Sequence, residues 1–274
     1  MPSFKITLAY DGAAFSGWQA QPGRRTVQGE LERAWLEITG ETVRLNAAGR
    51  TDAGVHAAGQ VVSVESTTTI PPESLVPALN SKLPEDAAVQ LVECVADGFH
   101  ATHDAKFKRY RYTIYNDARR PVFCRNYAWH IPTPLDVVSM QVGGAHMVGT
   151  HDFASFQSVG SERDSTVRTI FAVDILSPAA PGSARGSARP PTTLGPNDLR
   201  NAPRAEPGAA IITIDVEGDG FLYNMVRTIA GTLVEVGRGK RPPEWVAEVI
   251  AAKDRCAAGQ TAPPHGLCLQ WVAY

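Results

Sequence analysis

The sequence predicts an α+β fold built on antiparallel sheet and arranged as two similar halves, and three observations carry that prediction. Segments of period-two and of helical hydrophobic spacing follow one another irregularly, without a strict strand–helix–strand rhythm. No Gly-rich phosphate loop opens any of the helices, which argues against a doubly wound nucleotide fold. The 274 residues are enough for two halves of ordinary domain size, and the second half repeats the strand-and-helix theme of the first. The halves are placed at 1–105 and 106–274.

Taken in order, residues 4–10 alternate and are β-rich, a strand that ends at the turn signal Asp11-Gly12. Thr26 then caps a helix whose apolar Val27, Leu31, Ala34, Trp35 and Ile38 recur at helical spacing, with Gly40 as its stop. Strands are expected over 42–47 and 60–65, separated by a loop from Gly49 to Gly59. Residues 72–83 read as a helix and 89–95 as a strand. The second half continues with a strand at 106–115, a helix at 135–148 and strands at 167–176 and 210–217. Helices at 221–236 and 244–253 and a last strand at 267–272 complete it. Residues 177–208 are rich in Pro, Ala, Gly, Ser and Arg and poor in large apolar side chains, which predicts a disordered insertion. Its Arg185, Arg189, Arg200 and Arg204 either touch phosphates or simply keep a loop solvated.

A composition of 43% hydrophobic and 20% charged residues is globular, and no apolar run approaches the roughly 18 residues of a membrane-spanning helix. The start, Met1-Pro2-Ser3-Phe4-Lys5, lacks a basic region followed by an apolar one, so a cytoplasmic protein is expected. Cys94, Cys124, Cys256 and Cys268 form no CxxC pair and read as reduced thiols. His100 and His103 have a spacing that a metal can use, but no Cys or Glu cluster stands nearby, so no metal is expected. The formal net charge of −2 gives no basic excess. Basic residues are nevertheless clustered, in Lys106-Phe107-Lys108-Arg109-Tyr110-Arg111-Tyr112, Arg119-Arg120 and Arg125. Guanidinium groups bind phosphate bidentately and stack on bases, which makes Arg109 and Arg111 candidates for contact with RNA. An edge strand with charged residues facing water fits the same segment.

Asp52 lies among Gly49, Gly54 and Gly59 on the loop between two strands, where a carboxylate is free to project into a cleft. The same string also suits a turn in which the aspartate satisfies its own backbone amides. Arg50 stands two residues away, close enough to keep such a carboxylate ionised. In the helix after Gly220, apolar residues from Phe221 to Val234 cover most of the circumference, so Arg227 lies in a largely buried element. A buried guanidinium without a partner is unfavourable by several kcal/mol, and an acid satisfies it. That acid is Asp52, with Arg227 lowering its pKa and orienting it, or else Glu235, Glu217 or Asp215, or Arg227 reaches solvent from the helix edge.

Several strings then occur in one order: Tyr10-Asp11-Gly12-Ala13-Ala14-Phe15-Ser16-Gly17-Trp18-Gln19, Thr26-Val27-Gln28, and Gly49-Arg50-Thr51-Asp52-Ala53-Gly54-Val55-His56-Ala57. Phe99-His100-Ala101, Lys108-Arg109-Tyr110-Arg111-Tyr112, His151-Asp152-Phe153 and Asn224-Met225-Val226-Arg227 follow. In this the chain resembles the tRNA pseudouridine synthase A family, from about residue 4 to nearly the C-terminus, with 177–208 as the interruption. The resemblance implies an isomerase with Asp52 as nucleophile, Arg227 as the basic partner of that aspartate, and Tyr110 stacked on the target uracil. It implies that Arg50 helps to displace the target nucleotide. It implies tRNA as substrate, with target uridines at successive positions of the anticodon stem-loop, a homodimer, and ferredoxin-like sheets joined around a central RNA-binding cleft. No cofactor is called for, because moving the glycosidic bond from N1 to C5 involves no redox change. A protein of the same fold that binds tRNA without catalysis is the alternative, and the presence of Asp52, Arg50, Tyr110 and Arg227 argues against it. One departure is Thr102, where family members commonly have arginine; the missing contact is absent or comes from Arg109 or His103.

Overall fold

The structure, a computed structural model, describes residues 2–158, 160, 165–177 and 210–274. The insertion expected at 177–208, with its four arginines, lies outside the described residues apart from Ser177. In chain order the elements are β1 (Ser3–Tyr10), α1 (Val27–Thr39), β2 (Asn46–Ala47), β3 (His56–Glu65), α2 (Pro72–Asn80), β4 (Ala87–Val95), β5 (Phe107–Asn116) and β6 (Trp129–Ile131). They continue with α3 (Val137–Ala145), β7 (Gly149–Asp152), β8 (Val167–Leu176), β9 (Ala210–Gly218), α4 (Met225–Gly237), α5 (Trp245–Ala252) and β10 (Leu267–Ala273).

Period-two alternation decides the sheet. In β1, Phe4, Ile6, Leu8 and Tyr10 are buried while Lys5, Thr7 and Ala9 are only half-buried. The strands join into one open sheet in the order β4-β1-β3-β10-β5-β9-β8-β7, with β2 on β3 and β6 on β5. The expected α+β fold with a mainly antiparallel sheet is what the chain forms; the parallel pairs are β3 with β10 and β5 with β6. The sheet is continuous across residue 105, because β10 returns from the end of the chain to lie between β3 and β5.

One row of register partners crosses the middle of this sheet: Tyr10, Ala57, Leu269, Tyr110 and Val216. Their side chains share the face that the helices cover, so Tyr10 and Tyr110 reach the same region from opposite sides of the β3–β10 seam. A single buried apolar cluster runs beneath that face, from Phe4, Leu31 and Trp35 to Ile229 and Leu233. At about 25 cal/mol per Å² of apolar surface, such burial is the main term that holds helices and sheet together.

α1 starts and stops as its sequence requires. Thr26 Oγ1 accepts from the backbone of Gly29, the stripe Val27, Leu31, Ala34 and Trp35 is buried, and Gly40 ends the helix in the left-handed conformation. α4 differs from expectation. Its apolar spacing begins at Phe221, but the helix starts at Met225 because Asn224 adopts φ 62°, so the preceding residues form a turn that buries Leu222. Further along, a Cβ on Gly231 would lie 1.8 Å from the carbonyl oxygen of Gln260. Only glycine admits the 259–262 segment there, and Ala262 donates its backbone N–H to the Arg227 carbonyl at 3.1 Å.

Other boundaries moved as well. The strand expected over 42–47 is reduced to β2, and the one expected from Gln60 already begins at His56, where pairing with Cys268 of β10 starts. β6 and β7 were not anticipated; each is too short to show a period.

Candidate active site

The loop between β2 and β3 presents Asp52, and its shape is set by residues far away in sequence. Trp18 donates its backbone N–H to the Thr51 carbonyl at 2.9 Å, and Tyr10 Oη meets Thr51 Oγ1 at 2.7 Å. Gln60, wholly buried, donates from Nε2 to the Gly49 carbonyl at 2.8 Å and to Tyr10 Oη at 3.3 Å. A Cβ on Gly12 would sit 2.0 Å from the Val55 carbonyl oxygen, so the turn after β1 packs directly on the loop backbone. Gly12 N–H also donates to His56 Nδ1 at 3.1 Å, while His56 Nε2 lies 3.1 Å from the Asn126 carbonyl and 3.2 Å from that of His265. Asp11 Oδ1 also lies 3.0 Å from His56 Nδ1, so the ring ties the far end of the loop to the turn after β1 and to the backbone of Asn126 and His265.

The carboxylate of Asp52 is not consumed in a turn with its own amides. Among the described residues its hydrogen-bond partner is Arg227, with Nη1 donating to Oδ2 at 3.5 Å. Of the acids that compete for this arginine, Glu217 binds Arg109 at 2.8 Å, Asp215 binds Arg111 at 2.7 Å, and Glu235 binds Arg238 and Lys240. Arg227 is 15% exposed and Asp52 32%, so both sit at the cleft floor with one side open. Burial holds the Asp52 carboxyl above the usual carboxylate range, and the Arg227 charge pulls it down by less. The arginine lowers the pKa, as expected of it, but desolvation outweighs it.

Tyr110 is buried on β5, edge-on to Phe221 with ring centroids 5.1 Å apart and an interplanar angle of 83°. Burial, with lesser contributions from Tyr10, Asp52 and Cys268, pushes its phenol pKa up, which keeps the hydroxyl protonated. On the same face of β5, Lys108 Nζ donates to the Ala48 carbonyl. Arg50 is exposed at the rim and makes no hydrogen bond or ion pair among the described residues.

Arg109 and Arg111 do not join this group. Side chains alternate along a strand, and the odd-numbered residues of β5 point away from Tyr110. Arg111 grips the buried Asp215 through two 2.7 Å contacts, and Arg109 lies on Glu217 and over the Trp271 ring. Both arginines are thus engaged on the face of the sheet opposite Tyr110, while Lys108 lines the cleft. Thr102 Oγ1 donates to the Ala47 carbonyl at 2.6 Å, a contact that ties its segment to β2. His100 and His103 stack with ring centroids 4.2 Å apart, and among the described residues no group of three or more His, Cys, Asp or Glu converges on a metal-sized site.

The result is a cleft of about 1020 Å³ with Asp52 and Arg227 at its floor, Tyr110 and Phe221 on one wall, and Arg44, Arg50, Lys108 and Arg168 around it. Sequence reasoning missed Lys108 and Asn224. Strict alternation from Tyr110 was signal enough for Lys108, whereas nothing in the local sequence marks Asn224 as the residue that stops the helix.

The sequence pattern of a family described as tRNA pseudouridine synthase matches residues 6–104 and 145–274. The chain belongs to the tRNA pseudouridine synthase family. It is 46% identical over 277 residues to the tRNA pseudouridine synthase A of Moorella thermoacetica, covering 100% of both chains. It is 43% identical to the protein of that name from Bacillus velezensis and 42% to that from Bacillus subtilis, each over 98% of both chains. The matched segments contain the Asp52 loop and the whole of α4, while Lys108 and Tyr110 fall between them. No helix among the described residues is long and apolar enough to cross a membrane.

Proposed function

We propose that this member of the family isomerises uridine to pseudouridine in the anticodon stem-loop of tRNA, with Asp52 as the nucleophile. The observation that carries the reading is the engagement of the Asp52 carboxylate by Arg227, 175 residues away, beneath an aromatic wall in a cation-lined cleft. A structural aspartate would be spent on its own turn.

The reaction breaks the bond from N1 to C1′, turns the uracil, and joins C5 to C1′; the C5 proton is lost to solvent and N1 gains one. Every electron pair is conserved, so the chemistry calls for no cofactor. Asp52 adds covalently, at C6 of the base or C1′ of the sugar, and later leaves. The target base first leaves its stack at a cost of a few kcal/mol, and stacking on Tyr110 returns roughly 1–3 kcal/mol. Arg50, exposed at the rim and without a partner among the described residues, occupies the space the base vacates in this reading. The protonated Tyr110 hydroxyl acts as a donor rather than a base. This reading gives 1–105 the nucleophile loop and 106–274 Tyr110 and Arg227, with the homodimer and the cytoplasm carried by the family resemblance. Sedimentation of the active protein as a monomer would remove the homodimer from it.

Mapping the product tests the proposal. Unmodified tRNA incubated with the protein, then digested and analysed by mass spectrometry after pseudouridine-specific derivatisation, should show new pseudouridine at anticodon stem-loop uridines. Pseudouridine confined to another arm of the tRNA would overturn the specificity, and none at all would leave a binding protein.

A further inference from the structure

Arg227 is held more closely by neutral oxygens than by Asp52. Nη1 donates to Asn224 Oδ1 at 2.6 Å and Nε to the Ala262 carbonyl at 2.7 Å, against 3.5 Å to Asp52 Oδ2. Because a guanidinium only donates, the Asn224 oxygen must face it, which turns the amide nitrogen toward Ser158 Oγ, 3.0 Å away. The Asn224 backbone carbonyl accepts from Thr228 N–H at 2.9 Å, and its φ of 62° is one that residues other than glycine rarely adopt. Glycine would make this turn with less strain. What asparagine adds is its amide.

We propose that Asn224 is a positioning residue that keeps Arg227 in place while Asp52 is covalently attached to the nucleotide. The inference rests on the reading of Asp52 as nucleophile. When an Asp52 oxygen bonds to C6, the C5–C6 π pair moves into the ring as an enolate. When it bonds to C1′, the uracil leaves with the N1 bonding pair. In both cases the negative charge passes from the carboxylate to the base, and Arg227 loses its adjacent counter-ion while remaining 15% exposed. The hydrogen bonds to Asn224 and Ala262 do not depend on that charge. They hold the guanidinium through the intermediate, so that it meets the carboxylate again when Asp52 departs. Ser158 completes the chain by fixing which way the amide points.

Asn224→Gly separates this role from the needs of the turn, since it keeps the left-handed backbone and deletes the amide. The expected variant melts like the native protein and binds tRNA within about three-fold of it. It forms pseudouridine about ten-fold or more slowly in single turnover. The acid limb of its rate profile moves to higher pH, because Asp52 keeps its burial and loses part of the Arg227 charge. Full rate with an unmoved acid limb would overturn the inference. Ser158→Ala, which leaves the turn untouched, should shift the same limb in the same direction with a rate loss of about two- to five-fold. If the glycine variant does not fold, an unchanged profile for Ser158→Ala overturns the inference instead. The two levels stay distinguishable: full activity of Asp52→Asn removes the reading of the site, while full activity of Asn224→Gly beside an inactive Asp52→Asn removes only this role.

Discussion

Asp52 is pulled in two directions, and the balance has consequences for both rate and stability. Burial raises its pKa and Arg227 lowers it by less, so its folded value stands above that of an unfolded aspartate. A carboxyl raised on folding stabilises the fold when protonated, and that contribution disappears as pH rises through its folded pKa. At neutral pH the ionised Asp52 therefore detracts from stability, the kind of strain that active sites retain. Asp52→Asn should raise the melting temperature at pH 7, by about 2–4 °C for each kcal/mol relieved. The gain over the native protein should shrink as pH falls from the raised value toward the ordinary carboxylate range. Thermal melts of both proteins across pH check this, and a variant less stable at pH 7 would mean that the Arg227 pair dominates. The same raised value places the acid limb of kcat/KM above the pH at which an ordinary aspartate ionises.

At the scale of elements, α4 and the segment crossing it decide where Arg227 points. The close approach of Gln260 to Gly231 brings the Ala262 carbonyl to the guanidinium. A methyl group at 231 meets main-chain atoms that have no flexible end to move aside. Gly231→Ala should therefore lower the melting temperature by several degrees, in line with the roughly 1–3 kcal/mol of overpacking, and displace Ala262. Calorimetry together with a crystal structure of the variant tests it, and an unshifted Ala262 would contradict the packing argument. These elements also show what the sequence could and could not disclose. The burial of Arg227 was legible from the apolar residues that surround it on the helix. Residue chemistry left its partner open among several acids, and the resemblance pointed to Asp52; the pairing across 175 residues is fixed by the order of strands. The start of α4 was misread because Phe221 and Leu222 keep helical spacing while lying in a turn. Charge drew attention to Arg109 and Arg111, and alternation along β5 sets them on the face opposite Tyr110, where Glu217 and Asp215 hold them. The service of Gly12 and Gln60 to the Asp52 loop becomes visible only once β1 and β3 are paired.

For the whole molecule, the insertion of β10 between β3 and β5 matters most. It closes the seam at which the Asp52 loop, Tyr110 and Arg227 converge, so the cleft exists only when both ends of the chain are folded together. The fold class was legible because the long strands, such as β1, β3 and β5, each show their own period. The continuity of the sheet was not, since a parallel pairing of two register positions between β3 and β10 leaves no mark in either segment. The account stands on one claim, that this cleft forms pseudouridine through Asp52. The most direct measurement is release of tritium from tRNA labelled at uracil C5, by the native protein and by Asp52→Asn, with tRNA binding followed in parallel. The account predicts release by the native protein without added metal or nucleotide. It predicts binding but release slower by about a thousand-fold or more for the variant, the order expected for loss of a nucleophile. Comparable release from Asp52→Asn would contradict it.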